Sequence, residues 1–184
     1  MKASTYLQLA YIISQESKCV SWKVGAVIEK GGRIISTGYN GSPTGGINCC
    51  DHAHDQGWTK PLIINGGSRP KSITGLNMEF REHHNDWSSK HEIHAELNAI
   101  IFAARNGISI DGGTMYVTLS PCPDCAKAIA QSGIKKLVYA ETYDRNVPGW
   151  DKILLDSGIE VIKYERSNLN HIDWSTITNY CGVK

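Results

Sequence analysis

Apolar residues recur at helical spacing over residues 3 to 17, through Tyr6, Leu7, Ala10, Tyr11, Ile12 and Ile13, which predicts a helix with Ser4 or Thr5 as its N-cap. The pattern then turns β-like. Val24-Gly25-Ala26-Val27-Ile28-Glu29 and Arg33-Ile34-Ile35-Ser36-Thr37-Gly38 flank Gly31-Gly32, the signature of a hairpin. Gly38 to Gly46 is turn-rich and leaves the sheet. From Asn48 to Lys90 the periodicity decays, with Gly66-Gly67 and Pro70 breaking any regular element. The expectation there is a long irregular insertion pinned by something other than a core.

Order returns at Ile93. A helix runs through Ile100, Phe102 and Ala103 to Arg105, with Gly107 just beyond, followed by a strand over Thr114 to Leu119. A second helix spans Asp124 to Ser132 with Gly133 as its stop, and Lys136 to Ala140 reads as a buried strand. Trp150 to Leu155 predicts a short helix closed by Gly158, Ile159 to Lys163 a last strand, and Asp173 to Tyr180 a closing helix. A hairpin followed by alternating helix and strand predicts an α/β fold: a mixed five-stranded sheet covered by helices. Helical crossovers make strands 3 to 5 parallel.

At 184 residues the chain supports one well-buried core, so residues 1–184 are expected to form a single domain carrying the insertion at about 48–90. A formal net charge of +1 offers no broad field for a nucleic-acid backbone, which favours a small substrate over a polymer. There is no apolar run of membrane-spanning length and no signal-peptide pattern at the N-terminus. Six cysteines in such a chain suggest intracellular thiols or metal ligands instead of a disulfide framework, and hence a cytoplasmic location.

The chemistry concentrates in Ile93-His94-Ala95-Glu96-Leu97 and Ser120-Pro121-Cys122-Pro123-Asp124-Cys125. A catalytic zinc takes three protein ligands and keeps one position for water. His94, Cys122 and Cys125 fit that count, and Glu96 is left as a proton carrier. Both pieces open helices, with Pro123 suited to the first helical position, so the metal is expected between two helix N-termini. Either piece alone is weak: Cys-x-x-Cys at a helix start also serves redox pairs and structural zinc. Together they form the His-x-Glu and Pro-Cys-x-x-Cys pattern of zinc nucleobase deaminases. For the insertion, a pin is available in Cys49 or Cys50, His52, His54, His83, His84, His91 and Glu92, with Cys19 just before the first strand.

These motifs, with Val24-Gly25-Ala26-Val27-Ile28 and Gly38-Tyr39-Asn40-Gly41, resemble the deoxycytidylate deaminases of the cytidine/deoxycytidylate deaminase superfamily, most closely those of T-even-type bacteriophages. The resemblance implies a cytidine-deaminase-like three-layer α/β/α fold and zinc-dependent hydrolysis of dCMP to dUMP and ammonia, supplying dUMP for dTMP synthesis. It places Asn40 on the deoxyribose, Val24 against the ring, the backbone of Ala95 on the base and Tyr143 at the pocket wall. Asn before Gly is also a routine turn pair, and Tyr143 could be an ordinary half-buried aromatic. A monophosphate needs cationic or N–H donors, for which Lys23 and Arg145 are the candidates; both could equally be solvated charges.

By the same resemblance a second zinc is implied on Cys19, Cys49, His84 and Glu92, with Cys50 and His83 as adjacent competitors. A homohexamer is implied too, activated by dCTP with Mg2+ and inhibited by dTTP. Gly41 and Ser42 to Gly46, with Arg105, are the candidate regulatory contacts. Arg105 is also a favourable charge at a helix C-terminus. The rival readings are another zinc deaminase, acting on a free nucleoside, a base or a tRNA adenosine, and a non-enzymatic zinc module with four closed ligands.

Overall fold

The computed structural model describes residues 1–64 and 71–169. Helix α1 (Ala3–Ser14) leads to the hairpin of β1 (Gly25–Lys30) and β2 (Arg33–Tyr39). The insertion contributes α2 (Cys49–Asp55), β3 (Thr59–Ile64), β4 (Lys71–Leu76) and α3 (Arg81–His91). There follow α4 (Ala95–Arg105), β5 (Thr114–Leu119), α5 (Pro123–Gln131), β6 (Lys136–Glu141), α6 (Lys152–Asp156) and β7 (Glu160–Lys163). The expected helix at 173–180 and Cys181 lie outside the described residues.

The main sheet has the order β2-β1-β5-β6-β7. β1 pairs antiparallel with β2 and β5, while β5, β6 and β7 are parallel, as the crossovers require. Side chains alternate between the two faces. Val27, Tyr116, Val138 and Ala140 pack on Tyr6, Leu7, Ala10 and Tyr11 of α1. Ala26, Ile28, Met115, Val117 and Leu137 pack on the other side against the alanines of α4, Ala126 and Ile129 of α5, and Leu154 of α6. The result is three layers, α/β/α.

The seat of α4 depends on the absence of side chains. Its buried stripe is Ala95, Ala99 and Ala103, and a Cβ placed on Gly38 of β2 would run into the Ala95 carbonyl and the Ala99 amide. Backbone atoms cannot swing aside as a flexible side chain can. Gly38→Ala is therefore expected to cost about 3 kcal/mol, the upper end for overpacking. A fall in Tm of roughly 6–12 °C by calorimetry would bear this out; an unchanged Tm would mean that α4 is free to shift.

Two expectations need correction. Helix α1 starts at Ala3, with Lys2 in the N-cap position and no side-chain cap, so neither Ser4 nor Thr5 caps it. It ends at Ser14, and Gln15 to Ser17 close in turns onto Ile12, Ile13 and Ser14. The insertion is also not irregular. β3 and β4 form an antiparallel pair apart from the main sheet, and α3 is a full helix. Periodicity missed α3 because Arg-Glu-His-His-Asn-Asp-Trp-Ser-Ser-Lys-His has no apolar stripe; His84 is its one buried residue. The insertion is tied to the segment before β1 by the Cys50 N–H to the Lys18 carbonyl (2.9 Å) and the Leu76 N–H to the Val20 carbonyl (3.3 Å).

Candidate active site and metal clusters

Two helices begin at the same place. His94 is the N-cap residue of α4 and Cys122 that of α5, each in extended backbone. Cys125 and Glu96 follow in the first turns, where side chains lean back toward the helix start. His94 Nδ1 lies 3.4 Å from Cys122 Sγ and 3.5 Å from Cys125 Sγ. One imidazole nitrogen has a single in-plane orbital, so it cannot bond both sulfurs. A shared cation satisfies all three. Zn–S and Zn–N bonds at a tetrahedral angle separate S and N by about 3.6 Å, and the spacings match.

Protons sit uneasily in this cluster. A hydrogen bond from Cys125, helped by one from His94, draws Cys122 down to about 4, and its partner Cys125 is pushed up in consequence. The hydrogen bond to Cys122 raises His94 to about 9 despite burial. Glu96 is 4 % exposed, and burial pushes its carboxyl up to about 7. A carboxyl that titrates near neutrality can both accept and release a proton near pH 7.

The insertion holds a second donor set. Cys19 precedes β1, Cys49 opens α2, His84 lies in the first half of α3 and Glu92 just beyond its end. His84 Nε2 faces Cys49 Sγ at 3.3 Å and Cys19 Sγ at 3.6 Å, and the two sulfurs are 3.8 Å apart. A tetrahedral zinc would separate two sulfurs by about 3.8 Å. Glu92 Oε2 accepts from the Ser88 hydroxyl at 2.5 Å, but its Oε1 is buried without a partner. Such an orphaned acceptor beside two thiols and an imidazole is what a cation would satisfy. Burial and the neighbouring Cys19 raise Glu92 to about 8.

The competing donors go elsewhere. His52 and His91 each stack on Trp87 (4.5 and 4.7 Å), His83 packs on Trp58 and Phe80, and His54 is exposed. Cys50 packs beside the small core of Cys19, Val20, Cys49, Ala53 and Leu76.

A cavity of about 310 Å³ opens over the first cluster and reaches the second. Val24, Asn40, Ala95, Tyr143 and Arg145 all stand in its wall, with Glu96 and His94. Asn40 is 7 % exposed. Its Oδ1 accepts from the Val24 N–H (2.8 Å) and its Nδ2 donates to the Trp22 carbonyl (2.8 Å), which fixes the amide at the cavity edge. Arg145 lies over the Tyr143 ring at 5.1 Å.

Lys23 does not join them. Its ammonium lies 3.4 Å from the Gln15 carbonyl and is not part of the wall. Nor do the regulatory candidates gather. Gly41 bridges to Ile93 at the start of α4, the Ser42 hydroxyl donates to the Ile47 carbonyl and the Gly46 N–H to the Pro43 carbonyl. Arg105 stands at the far end of α4, about 15 Å from its start at 1.5 Å per residue.

Sequence reasoning missed Ser21, Asn85 and Ser120 in the wall, and Asn146 behind it. The Ser120 hydroxyl accepts from the Tyr143 N–H (2.8 Å) and Asn146 Nδ2 (3.0 Å), and Asn146 also donates to the Pro121 carbonyl (2.9 Å). This latch fastens the Tyr143 loop to the cysteine-bearing turn. Ser120 adjoins the motif and could have been noticed; Asn85 carries no local signal.

Residues 1–141 match the family model described as the cytidine and deoxycytidylate deaminase zinc-binding region. The chain is 64 % identical to the deoxycytidylate deaminase of Enterobacteria phage T4 over 99 % of its length and all of that protein. It is 61 % identical to the phage T2 enzyme, over the same shares. Among solved structures it is similar to the dCMP deaminase of cyanophage S-TIM5 in complex with dCMP and dUMP. That match has 33 % identity and a TM-score of 0.64, covering 89 % of this chain and 99 % of that one.

Proposed function

The chain belongs to the cytidine and deoxycytidylate deaminase family, and on that footing we propose that it hydrolyses dCMP to dUMP and ammonia, supplying dUMP for dTMP synthesis. One observation carries the reading: a buried carboxyl, Glu96, shares a cavity of small-molecule size with a three-donor metal cluster. Zinc held by His94, Cys122 and Cys125 would supply a water activated near neutral pH. The chain's own groups do the rest. Glu96 takes a proton from the attacking water and delivers it to ring N3, which makes C4 electrophilic. Once the water oxygen has bonded to C4, Glu96 would carry the second proton from that oxygen to the amine as the C4–N bond breaks and ammonia leaves, so one carboxyl acts first as base and then as acid. Asn40 holds the deoxyribose, the Ala95 backbone reads the base, and Val24 and Tyr143 enclose the ring.

A second zinc on Cys19, Cys49, His84 and Glu92 belongs to the same proposal. So does a homohexamer activated by dCTP with Mg2+ and inhibited by dTTP. Support for assembly comes from exposed apolar side chains, Phe102 (49 % exposed) and Ile101 on α4 and Ile34 and Tyr39 on β2. Arg105 and the Gly41 bridge lie at opposite ends of α4, about 15 Å apart along the helix, so a regulatory nucleotide could use both through two copies of the chain. Among the described residues no helix is long and apolar enough to cross a membrane, and we place the enzyme in the cytoplasm of the host cell.

The test is ammonia release from dCMP, deoxycytidine and tRNA assayed separately. Release from dCMP is expected. Release from tRNA alone would overturn the substrate assignment in favour of a tRNA adenosine deaminase.

A further inference from the structure

The loop after β6 is fastened to the cysteine-bearing turn by a side chain that belongs neither to the cavity wall nor to a metal-donor set. Asn146 closes the turn over residues 143–146 with its own N–H on the Tyr143 carbonyl (3.0 Å). Its side-chain amide spends both hydrogens outside that turn, one on the Ser120 hydroxyl (3.0 Å) and one on the Pro121 carbonyl (2.9 Å). The Ser120 hydroxyl, buried at the end of β5, also accepts from the Tyr143 N–H (2.8 Å). The Ser120 N–H in turn donates to the Glu141 carbonyl (2.8 Å), so the anchor point is itself part of the sheet's hydrogen bonding.

The orientation of the Asn146 amide is forced. A flip would set Oδ1 against the Pro121 carbonyl, which has only lone pairs to offer. In the orientation held, Oδ1 is buried without a hydrogen-bond partner. An unpaired buried acceptor is unfavourable, and this one persists because both N–H groups of the same amide are in use. The Arg81–Asp144 pair also reaches the loop, at 3.5 Å, but its side chains are 36 % and 55 % exposed, where an ion pair contributes little. Arg145 lies over the Tyr143 ring at 5.1 Å and belongs to the loop itself, so it cannot anchor it.

We propose that Asn146 is a positioning residue: through Ser120 and the Pro121 carbonyl it holds the half-buried Tyr143 at the distance from the Cys122 turn that the pyrimidine requires. The inference rests on the dCMP reading, in which Tyr143 encloses the ring. Tyr143 meets the base alike before and during the reaction, so misplacing it weakens binding more than it slows the chemistry.

Steady-state kinetics with dCMP on the full-length zinc-loaded protein test this. Asn146→Ala is expected to raise KM on the order of tenfold, the range of a lost aromatic contact, with kcat within about threefold of wild type and zinc content unchanged. Asn146→Asp keeps the shape but puts an acceptor where a donor stood, and should raise KM as much. Should Asn146→Ala not fold, Ser120→Ala, which removes the acceptor shared by Tyr143 and Asn146, carries the same expectation. Tyr143→Ala should raise KM by itself, and adding Asn146→Ala to it should raise KM no further, because the second change acts through the first side chain. A role confined to stability would instead lower the active fraction, and so kcat, with KM unmoved. Wild-type KM in both Asn146 variants, or additive effects in the double variant, would overturn the positioning role while the deaminase reading stands. An unchanged KM in Tyr143→Ala would overturn the placement of Tyr143 on the ring and this inference with it.

Discussion

Glu96→Gln is expected to lower kcat with dCMP by about 10⁴-fold, the upper range for a positioned acid–base group, or about 5.4 kcal/mol of transition-state stabilisation. Glutamine fills the same space beside His94 and Cys125 but cannot take up or release a proton. In the proposed mechanism Glu96 serves at water, ring nitrogen and leaving amine in turn, so one substitution would remove every transfer. Zinc content should stay the same because Glu96 is not in the donor set. Steady-state ammonia release with metal analysis on the same preparation checks both halves. Turnover within tenfold of wild type would sink the role; loss of zinc would make Glu96 a ligand.

The catalytic cluster was legible because its geometry is local. Cys-Pro-x-Cys at a helix start and His-x-Glu at another fix each pair within one turn, and α4 and α5 each begin beside the sheet. The sheet was legible for a related reason: β1, β5 and β6 are clean apolar runs, each buried by helices of their own layer. The α1 boundaries slipped because residues 15–17 continue in turns, which a periodicity count cannot tell from helix. In the insertion the local signal vanishes. The exposed Ile63, and Pro61 in the same strand, give β3 no alternation, and α3 is polar on all sides but His84. Those elements are held by long-range groups, Cys19 to Cys49 and His84, 30 and 65 residues apart in the chain.

The candidate phosphate donors show the same limit from the other side. Lys23 was a candidate as a cation beside the first strand, yet a lysine side chain is long enough to turn away, and here it reaches the Gln15 carbonyl. Asn85 had no motif at all. It joins the cavity only because the second cluster brings His84, one residue earlier, against Cys19 and Cys49.

Cys49→Ser tests how much of that proximity depends on a metal. Cys49 is 1 % exposed, and its sulfur faces His84, Cys19 and the Val20 N–H at 3.4 Å. Serine keeps a short polar group but is a poor soft ligand, so the donor set falls from four to three. Glu92 Oε1 and the Cys19 thiolate would then be buried without a cation, a loss of the kind that costs about 3–5 kcal/mol. Two results are expected together: zinc falls from about two to about one per chain, and Tm falls on the order of 10 °C. Cys50→Ser should do neither, since Cys50 lies outside the donor set. Because Cys19, His84 and Glu92 also line the candidate substrate cavity, KM for dCMP is expected to rise in Cys49→Ser while the remaining zinc stays on His94, Cys122 and Cys125. Two zinc ions retained in Cys49→Ser would take Cys49 out of the donor set, and a single zinc per wild-type chain would remove the second site and, with it, the reason α3 stands where it does.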